Sequence, residues 1–236
     1  MLSGYGAERT ARDKTMATYL VTGVNRGIGL ALVEGLLARG HAVIGTTRNG
    51  DAPFEHPNFR VLACDIGDTA SVRAAAQALS ERIDVLIQNA GVFGPRQQEL
   101  ADLAPDDFLE VLNANVVGPW RVLQAFLPNL KRSSQGRVLM ISSGMGRFSG
   151  SSQGAPAYRA SKAALNKLVQ TFSHDLKRDG IAIVACHPGW VRTDMGGAGA
   201  EIDPKASADG LIQLAENLQL SGTGRFMDWT GHTQDW

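Results

Sequence analysis

A tyrosine and a lysine with helical spacing are the residues of this sequence best suited to acid–base chemistry. Tyr158 and Lys162 lie four positions apart, so a helix would place both side chains on one face, one turn apart. A phenol with an ordinary pKa of about 10 transfers protons poorly at neutral pH, and a neighbouring ammonium group lowers that pKa. The pair could therefore donate a proton to an oxygen atom, although a surface tyrosine packed on a lysine stem would have the same spacing.

Two adjacent serines upstream could supply a second polar group for the same reaction. Ser142 and Ser143 follow an apolar run that is typical of a buried strand. Because side chains alternate along a strand, the two hydroxyls should point in opposite directions. The hydroxyl that faces the tyrosine would hydrogen-bond to a substrate oxygen and polarise its carbonyl group.

A glycine-rich turn lies near the start of the sequence, between an apolar run and a helical pattern. It reads Thr22-Gly23-Val24-Asn25-Arg26-Gly27-Ile28-Gly29. Glycines allow a tight turn and let the backbone approach a pyrophosphate, and the free N–H groups at a helix start bind that anion. The turn therefore predicts a nucleotide-binding site.

Alternating strand and helix patterns must position these groups. Apolar, β-branched runs predict six buried strands, at Thr18–Thr22, His41–Thr47, Phe59–Cys64, Asp84–Gln88, Gly136–Ile141 and Ile181–His187. The helical patterns between them run from Ile28 to Gly40, from Asp68 or Thr69 to Ser80, from Asp106 through Asn115 toward Ala125, from Tyr158 to Arg178, and onward from Asp203-Pro204. Apolar strands that alternate with helices predict an α/β fold, a Rossmann-type doubly wound parallel sheet of about seven strands with helices on both faces.

Composition and charge exclude several classes of protein. The 236 residues carry 23 Lys+Arg and 23 Asp+Glu, so no basic surplus favours nucleic acid as a partner. A hydrophobic fraction of 44% excludes global disorder. No apolar run approaches the roughly 18 residues that span a membrane. Cys64 and Cys186 lie in apolar runs without metal-ligand spacing, so we expect buried reduced thiols, no metal site and a cytoplasmic protein.

The polar start of the chain differs from the rest. Residues 1–15 lack the apolar stretch of a secretory signal, and Met16 follows them directly before the first predicted strand. We interpret residues 1–16 as a disordered arm, with translation from an upstream start codon outside the fold as the alternative. Residues 17–236 contain no clear linker, which predicts a single domain.

Four motifs follow one another along the sequence: the TGxxxGxG turn at 22–29, Asn89-Ala90-Gly91 after the fourth predicted strand, YxxxK at 158–162, and Pro188-Gly189 followed by Thr193. In these motifs and their order, the sequence resembles the short-chain dehydrogenase/reductase family over about residues 18–195. The phrase HPGWVRTDMGG and the closing stretch Gly222–Trp236 resemble the C-factor-like, carbonyl-reducing branch of that family.

The resemblance implies roles for the catalytic candidates. Tyr158 would be the acid/base. Lys162, together with the positive nicotinamide of the oxidised cofactor, would lower the pKa of Tyr158, and Lys162 would also bind the nicotinamide ribose. Ser143 is preferred to Ser142 because the functional serine of the family is usually the second of such a pair. Asn115 matches the family asparagine that kinks a helix and holds a water in a proton relay, with Asn113 as the alternative.

One spacing departs from the family pattern. Ser143 and Tyr158 lie 15 positions apart, about two more than is commonest in the family, and the loop Ser149–Gly154 can absorb the difference.

The end of the second predicted strand indicates NADP(H) rather than NAD(H). The run Thr46-Thr47-Arg48 offers no acid for the ribose hydroxyls, whereas the planar fork of Arg48 can pair with a 2′-phosphate. Arg26 could reach the same phosphate from the other side, and NADP-preferring members of the family carry basic residues at these places. Besides these arginines, Tyr158 and Lys162, the cofactor is expected to contact Gly23, Asn25, Gly27, Ile28, Gly29, Asp65, Ile66, Asn89, Ala90, Gly91, Pro188, Gly189, Val191 and Thr193.

Four apolar residues near strand ends are candidates for the substrate site, and each could equally belong to the core. They are Phe93, Phe148, Trp190 and Met195. The resemblance implies an NADP(H)-dependent enzyme that reduces a ketone, aldehyde or quinone to an alcohol, working as a homodimer or homotetramer without nucleic acid or membrane. The alternatives are a nucleotide-binding signalling or regulatory protein of C-factor type, and a different chemistry such as epimerisation or dehydration.

Overall fold

The computed structural model describes residues 16–149 and 153–236. The predicted N-terminal arm therefore lies outside the described residues, apart from Met16. Gly150, Ser151 and Ser152, in the loop expected to absorb the long serine–tyrosine spacing, also lie outside them.

In the part of the chain that the structure describes, seven parallel strands form one sheet in the order β3-β2-β1-β4-β5-β6-β7. Their bounds are β1 Thr18–Thr22, β2 Ala42–Thr47, β3 Phe59–Ala63, β4 Val85–Gln88, β5 Arg137–Ile141, β6 Ala182–His187 and β7 Arg225–Asp228. The six strands predicted from apolar runs are present, with starts or ends shifted by at most one residue. The seventh carries the sequence Arg-Phe-Met-Asp, which lacks β-branched residues, so the pattern does not locate it.

Six α-helices within residues 16–149 and 153–236 cover the two faces of the sheet. Their bounds are α1 Gly27–Ala38, α2 Thr69–Gln77, α3 Pro105–Leu112, α4 Gly118–Leu130, α5 Pro156–Arg178 and α6 Pro204–Asn217. One core, with Leu32, Val184 and Leu211, lies between the sheet and the pair α1 and α6. A second core, with Leu86, Phe126 and Val169, lies on the opposite face under α2, α4 and α5. The predicted doubly wound α/β fold is therefore confirmed.

The strand order reverses between β1 and β4, and this reversal decides where a ligand can bind. Chain crossovers leave β1 toward one edge of the sheet and β4 toward the other, which opens a crevice at the carboxyl ends of the strands. The glycine turn follows β1, and Ser143 follows β5 by two residues. The fold thus brings these separate motifs together at the carboxyl ends of the strands.

The long helical run predicted from Asp106 through Asn115 toward Ala125 is present, and it is interrupted by a π-helical turn around Asn115, where the resemblance implies a kink. The helix starts at Pro105, ends as α3 at Leu112, passes through a π-helical turn at Asn113–Val117, and resumes as α4. Pro119 has no N–H to donate to the carbonyl of Asn115 four residues earlier, so the regular ladder cannot continue through this point.

Smaller differences concern helix ends. The second helix ends at Gln77 rather than Ser80, and α5 starts at Pro156, two residues before Tyr158. Asp68 caps α2 by accepting hydrogen bonds from the N–H groups of Ala70 and Ser71, as one of the two predicted caps.

Two further expectations concern the thiols and membranes. Cys64 and Cys186 are free and buried, as predicted. Within the described ranges, no helix combines the length and the apolar character that crossing a bilayer requires.

Candidate active site

The glycine turn leaves the start of α1 open to an anion. Arg26 is the N-cap of α1, and within the described residues its side chain makes no capping hydrogen bond. A side-chain carbon on Gly29 would lie 2.0 Å from the carbonyl oxygen of Gly23, so only glycine fits where the helix crosses the turn. Helix N–H groups without a cap, beside close-approaching backbone, fit a pyrophosphate group.

Asn89 fastens this turn to the end of β4. Its side-chain amide donates to the carbonyl oxygens of Thr22 and Gly23, both at 3.0 Å. In return, the Thr22 hydroxyl oxygen accepts the backbone N–H groups of Asn89 and Ala90, also at 3.0 Å. The side chain of Asn89 therefore shapes the turn, while Ala90 and Gly91 continue along the crevice.

The two serines after β5 point in opposite directions, as predicted. The Ser142 hydroxyl is buried and donates to Asn166 Oδ1 at 2.6 Å, beneath α5. The Ser143 hydroxyl oxygen accepts the N–H of Met145 at 3.1 Å and forms a hydrogen bond with the side chain of Tyr158. Ser143 is thus the serine beside the phenol.

Tyr158 and Lys162 occupy one face of the first two turns of α5. Both are buried, at 8% and 6% exposure. The Lys162 ammonium lies 5.5 Å from the centroid of the Tyr158 ring and donates to the carbonyl oxygen of Ile141 at 2.9 Å. The pair is therefore part of the crevice wall, and the alternative of a surface tyrosine packed on a lysine stem is wrong.

Burial controls the protonation of both groups. Burial raises the pKa of the Tyr158 phenol, and the hydrogen bond with Ser143 lowers it by a smaller amount. Burial also lowers the pKa of Lys162 to about 8. In the chain without a cofactor, burial therefore has the larger effect on the pKa of Tyr158, and the lowering expected from Lys162 together with an oxidised nicotinamide stays a prediction. The phenol keeps its proton at neutral pH, which is the state a proton donor needs.

Asn115 is a buried node between three segments. Its side chain exchanges two hydrogen bonds with the backbone of Val92, accepting the N–H at 2.8 Å and donating to the carbonyl at 2.7 Å. It also donates to the Ser161 hydroxyl at 3.0 Å. Asn113 instead donates to the carbonyl of Gly67 on the other side of the π-helical turn. Of the two asparagines, Asn115 is therefore the one that reaches the site.

The segment after β6 folds back onto the glycine turn. Val191 pairs with Ile202, and the Pro188 carbonyl oxygen accepts the hydroxyl of Ser207 at 2.7 Å. A side-chain carbon on Gly27 would lie 3.1 Å from the Thr193 methyl group. This contact places Thr193 across the crevice from the start of α1.

The two arginines expected to bind a 2′-phosphate differ in their contacts. Arg48 follows β2 and is exposed, with no ion pair to any residue in the described ranges. Arg26 donates to Asp194 Oδ2 at 2.7 Å, and both side chains are largely exposed. Asp65, expected at the adenine edge, accepts the Gly67 N–H at 2.9 Å, and the Ile66 side chain packs against Gly118.

The four substrate candidates do not all lie together. The ring of Phe93 packs against the ring of Tyr158, with centroids 5.0 Å apart. Phe148, Trp190 and Met195 are 84%, 56% and 50% exposed, so the alternative that these three belong to the core is wrong. Phe93 is the candidate that the described contacts tie to the phenol.

Sequence reasoning missed two hydroxyl residues that organise the site. Ser161, inside the YxxxK motif, accepts from Asn115 and donates to the Tyr158 carbonyl oxygen at 2.7 Å. Thr22 joins the glycine turn to β4, as described above. Ser161 is the fourth residue of YxxxK, where any residue type is allowed, and Thr22 is quoted only as the first residue of the glycine-rich motif. Neither position by itself indicates the hydrogen bonds that its hydroxyl makes.

Comparisons with known proteins add an independent observation. A family model described as short chain dehydrogenase matches residues 17–201. The C-signal protein of Myxococcus xanthus is 41% identical over 155 residues, which are 65% of this chain and 93% of that protein. The crystal structure of an NADPH-bound carbonyl reductase from chicken fatty liver has a TM-score of 0.86 at 33% identity, covering 94% of this chain and 99% of that one. The carbonyl reductase Sniffer of D. melanogaster has a TM-score of 0.88 at 30% identity, covering 94% and 100%.

Proposed function

The chain belongs to the short-chain dehydrogenase family, within its C-factor-like and carbonyl-reductase-like branch, and from this premise we propose that it is an NADP(H)-dependent carbonyl reductase. Its substrate would be a ketone, aldehyde or quinone, and its product an alcohol. The observation that carries this proposal is the buried Tyr158, whose side chain lies beside Ser143, Lys162 and Phe93. A group that must donate a proton in a water-poor crevice needs these surroundings.

The crevice offers contacts for each part of a dinucleotide. The open start of α1 suits the pyrophosphate, and Lys162, at the inner end, would reach the nicotinamide ribose. When bound, the cofactor would supply the hydride that reduces the carbonyl carbon.

The side chains around Tyr158 account for the proton half of the reaction. Ser143 would hydrogen-bond to the carbonyl oxygen and polarise it, and Tyr158 would then give that oxygen its proton. The phenolate left behind lies close to the Lys162 ammonium, which favours the negative charge. Asn115 holds the backbone at Val92 and reaches Ser161 behind the tyrosine, so it would keep the proton path in place.

Replacing Ser143 by Ala should lower kcat/KM for carbonyl reduction by about 10- to 100-fold, because a hydrogen bond to developing negative charge is lost. The neighbouring variant Ser142→Ala is the matched control. It removes the bond to Asn166 and should lower the melting temperature by about 2–4 °C while leaving kcat close to the wild-type value. Steady-state kinetics and thermal melts separate the two, and a larger kinetic loss in S142A would reverse the assignment.

We propose that Arg48 makes the protein prefer NADP(H) to NAD(H). Its exposed guanidinium, directly after β2, can form a bidentate pair with a 2′-phosphate. Arg26 could join it after releasing Asp194. The bound NADPH in the chicken carbonyl reductase supports the same choice.

Replacing Arg48 by Ala should weaken NADPH binding by about 10- to 100-fold and leave NADH binding nearly unchanged. Arg82→Ala is the control, because Arg82 pairs with Asp84 just before β4, at the amino ends of the strands and away from the crevice. Fluorescence titration with both cofactors gives the affinities. Equal losses for NADPH and NADH in R48A would contradict the role of Arg48.

The activity itself is tested by following NADPH oxidation against a panel of ketones, aldehydes and quinones, with NADH in parallel. We expect turnover with at least one carbonyl class and a clear preference for NADPH. Tight NADPH binding without turnover of any carbonyl would favour the second candidate, a nucleotide-binding regulatory protein, for which the 41% identity to C-signal is the supporting observation. The intact Ser143, Tyr158 and Lys162 weigh against that candidate, because binding alone needs no proton donor.

A further inference from the structure

Gln98 is a buried polar side chain between exposed neighbours in the loop before α3. Its neighbours Gln97 and Glu99 are exposed, whereas Gln98 itself is only 4% exposed. Its side-chain amide donates to the carbonyl oxygens of Phe93 at 2.8 Å and Pro95 at 3.0 Å. Its side-chain oxygen accepts the backbone N–H of Tyr158 at 3.4 Å, across 60 positions of sequence. Both donors and the acceptor of this carboxamide are therefore used.

The bond to Tyr158 supplies a cap that α5 lacks locally. The N-cap residue Ala155 has a left-handed backbone and no side chain that can accept a hydrogen bond. Pro156 has no N–H, and Tyr158, at the third helical position, carries an N–H with no partner inside the helix. An N-cap side chain would ordinarily accept this N–H. Gln98 accepts it instead, from a different segment of the chain.

The same carboxamide also places the ring that covers the phenol. Phe93 packs against Tyr158 with ring centroids 5.0 Å apart. Its backbone is held on both sides, by Asn115 at Val92 and by Gln98 at the Phe93 carbonyl. Gln98 therefore contacts the backbone of both aromatic residues in this pair.

We propose that Gln98 is a positioning residue, which caps the helix carrying Tyr158 from a distant loop and fixes Phe93 against the phenol ring. The part of this proposal that concerns turnover rests on the proposed function, since Tyr158 must be the proton donor for its position to matter. The capping itself does not depend on any substrate. Losing it should let the first turn of α5 open more often and move the phenol away from the carbonyl oxygen.

The experiment compares Gln98→Met with Gln97→Met in the full chain. Amide hydrogen exchange is measured first, because it needs neither cofactor nor substrate. In Q98M we expect exchange in the first turn of α5 to become about five- to tenfold faster, as for loss of a helix cap, and in Q97M to stay at the wild-type rate. A wild-type exchange rate in Q98M would overturn the proposal.

A second variant keeps the test decisive if Q98M folds poorly. Gln98→Glu retains an oxygen that can accept the Tyr158 N–H but removes both donors to the loop carbonyls. We expect protected amides in the first turn of α5 and faster exchange in residues 91–97. Faster exchange in the first turn of α5 with unchanged exchange in residues 91–97 would contradict the proposal that the Gln98 oxygen caps the helix and its amide group holds the loop.

Kinetics then connect the position to the reaction. In Q98M, kcat for a carbonyl substrate should fall about five- to tenfold while the NADPH dissociation constant stays at the wild-type value, with Q97M unchanged in both. An unchanged kcat with faster exchange would overturn the positioning role and leave a purely structural cap. If the wild-type protein reduces no carbonyl, the proposed function fails, and the exchange data still decide whether Gln98 caps α5.

Discussion

Replacing Tyr158 by Phe should lower kcat for carbonyl reduction by about 100- to 10,000-fold, which is the contribution expected of a general acid. The substitution removes one oxygen from a buried ring and leaves the packing against Phe93 in place. NADPH binding should therefore change little. Stopped-flow or steady-state assays of NADPH oxidation, combined with fluorescence titration of the cofactor, measure the two quantities separately.

Tyr19→Phe is the matched control for this experiment. Tyr19 is also buried, at 1% exposure in β1, but its ring packs against His41 in the core on the α1 side of the sheet. We expect kcat of Y19F to stay close to the wild-type value. Near wild-type turnover in Y158F, or equal losses in both variants, would rule out Tyr158 as the proton donor.

Replacing Lys162 by Met should lower kcat by about 100- to 1,000-fold, in the range found when one preorganised electrostatic group is removed. The ammonium lies 5.5 Å from the Tyr158 ring, so its loss leaves the phenolate that forms during reduction without a nearby positive charge. Lys167→Met is the control, because Lys167 lies on the same helix but is exposed and bonds to Gln170. A kcat loss of similar size in K167M would show that the effect is not specific to the site.

The Lys162→Met variant also tests how the stability of the protein depends on pH. Burial lowers the pKa of Lys162 from its ordinary 10.5 to about 8, so above pH 8 the folded protein has released a proton that the unfolded chain still binds. The unfolding free energy contributed by this group therefore rises from pH 8 to pH 10.5 and is lost as the pH falls through 8. Relative to K162M, the wild-type protein should gain melting temperature over that range. If the melting temperatures of the two proteins change with pH in the same way, Lys162 does not have the lowered pKa of a buried lysine.

The parts of the fold that follow from the sequence are those with strong local patterns. Apolar runs located β1 to β6, and the glycine turn marked the reversal of strand order where the crevice opens. The opposite directions of Ser142 and Ser143 followed from strand alternation alone, and the structure selects Ser143 as the partner of Tyr158.

The rest depends on contacts between distant segments, which a single sequence does not display. The π-helical turn at Asn113–Val117 combines a local cause, Pro119, with a tertiary one, the bonds from Asn115 to Val92. The raised pKa of Tyr158 reflects its burial by segments that are distant in the sequence. Gln98 caps a helix 60 positions away, so nothing near it in the sequence points to that helix.

The most direct test of the account is the transfer of label from NADPH that carries deuterium in place of both hydrogens at C4 of the nicotinamide. The protein is incubated with labelled NADPH and a carbonyl substrate found in the panel, and the product is analysed by mass spectrometry and NMR. We predict an alcohol with the deuterium on the former carbonyl carbon and the exchangeable hydrogen on its oxygen, with no alcohol formed by Y158F on the same timescale. Consumption of NADPH without deuterium at that carbon, or an equally labelled alcohol formed at the wild-type rate by Y158F, would contradict hydride transfer assisted by Tyr158.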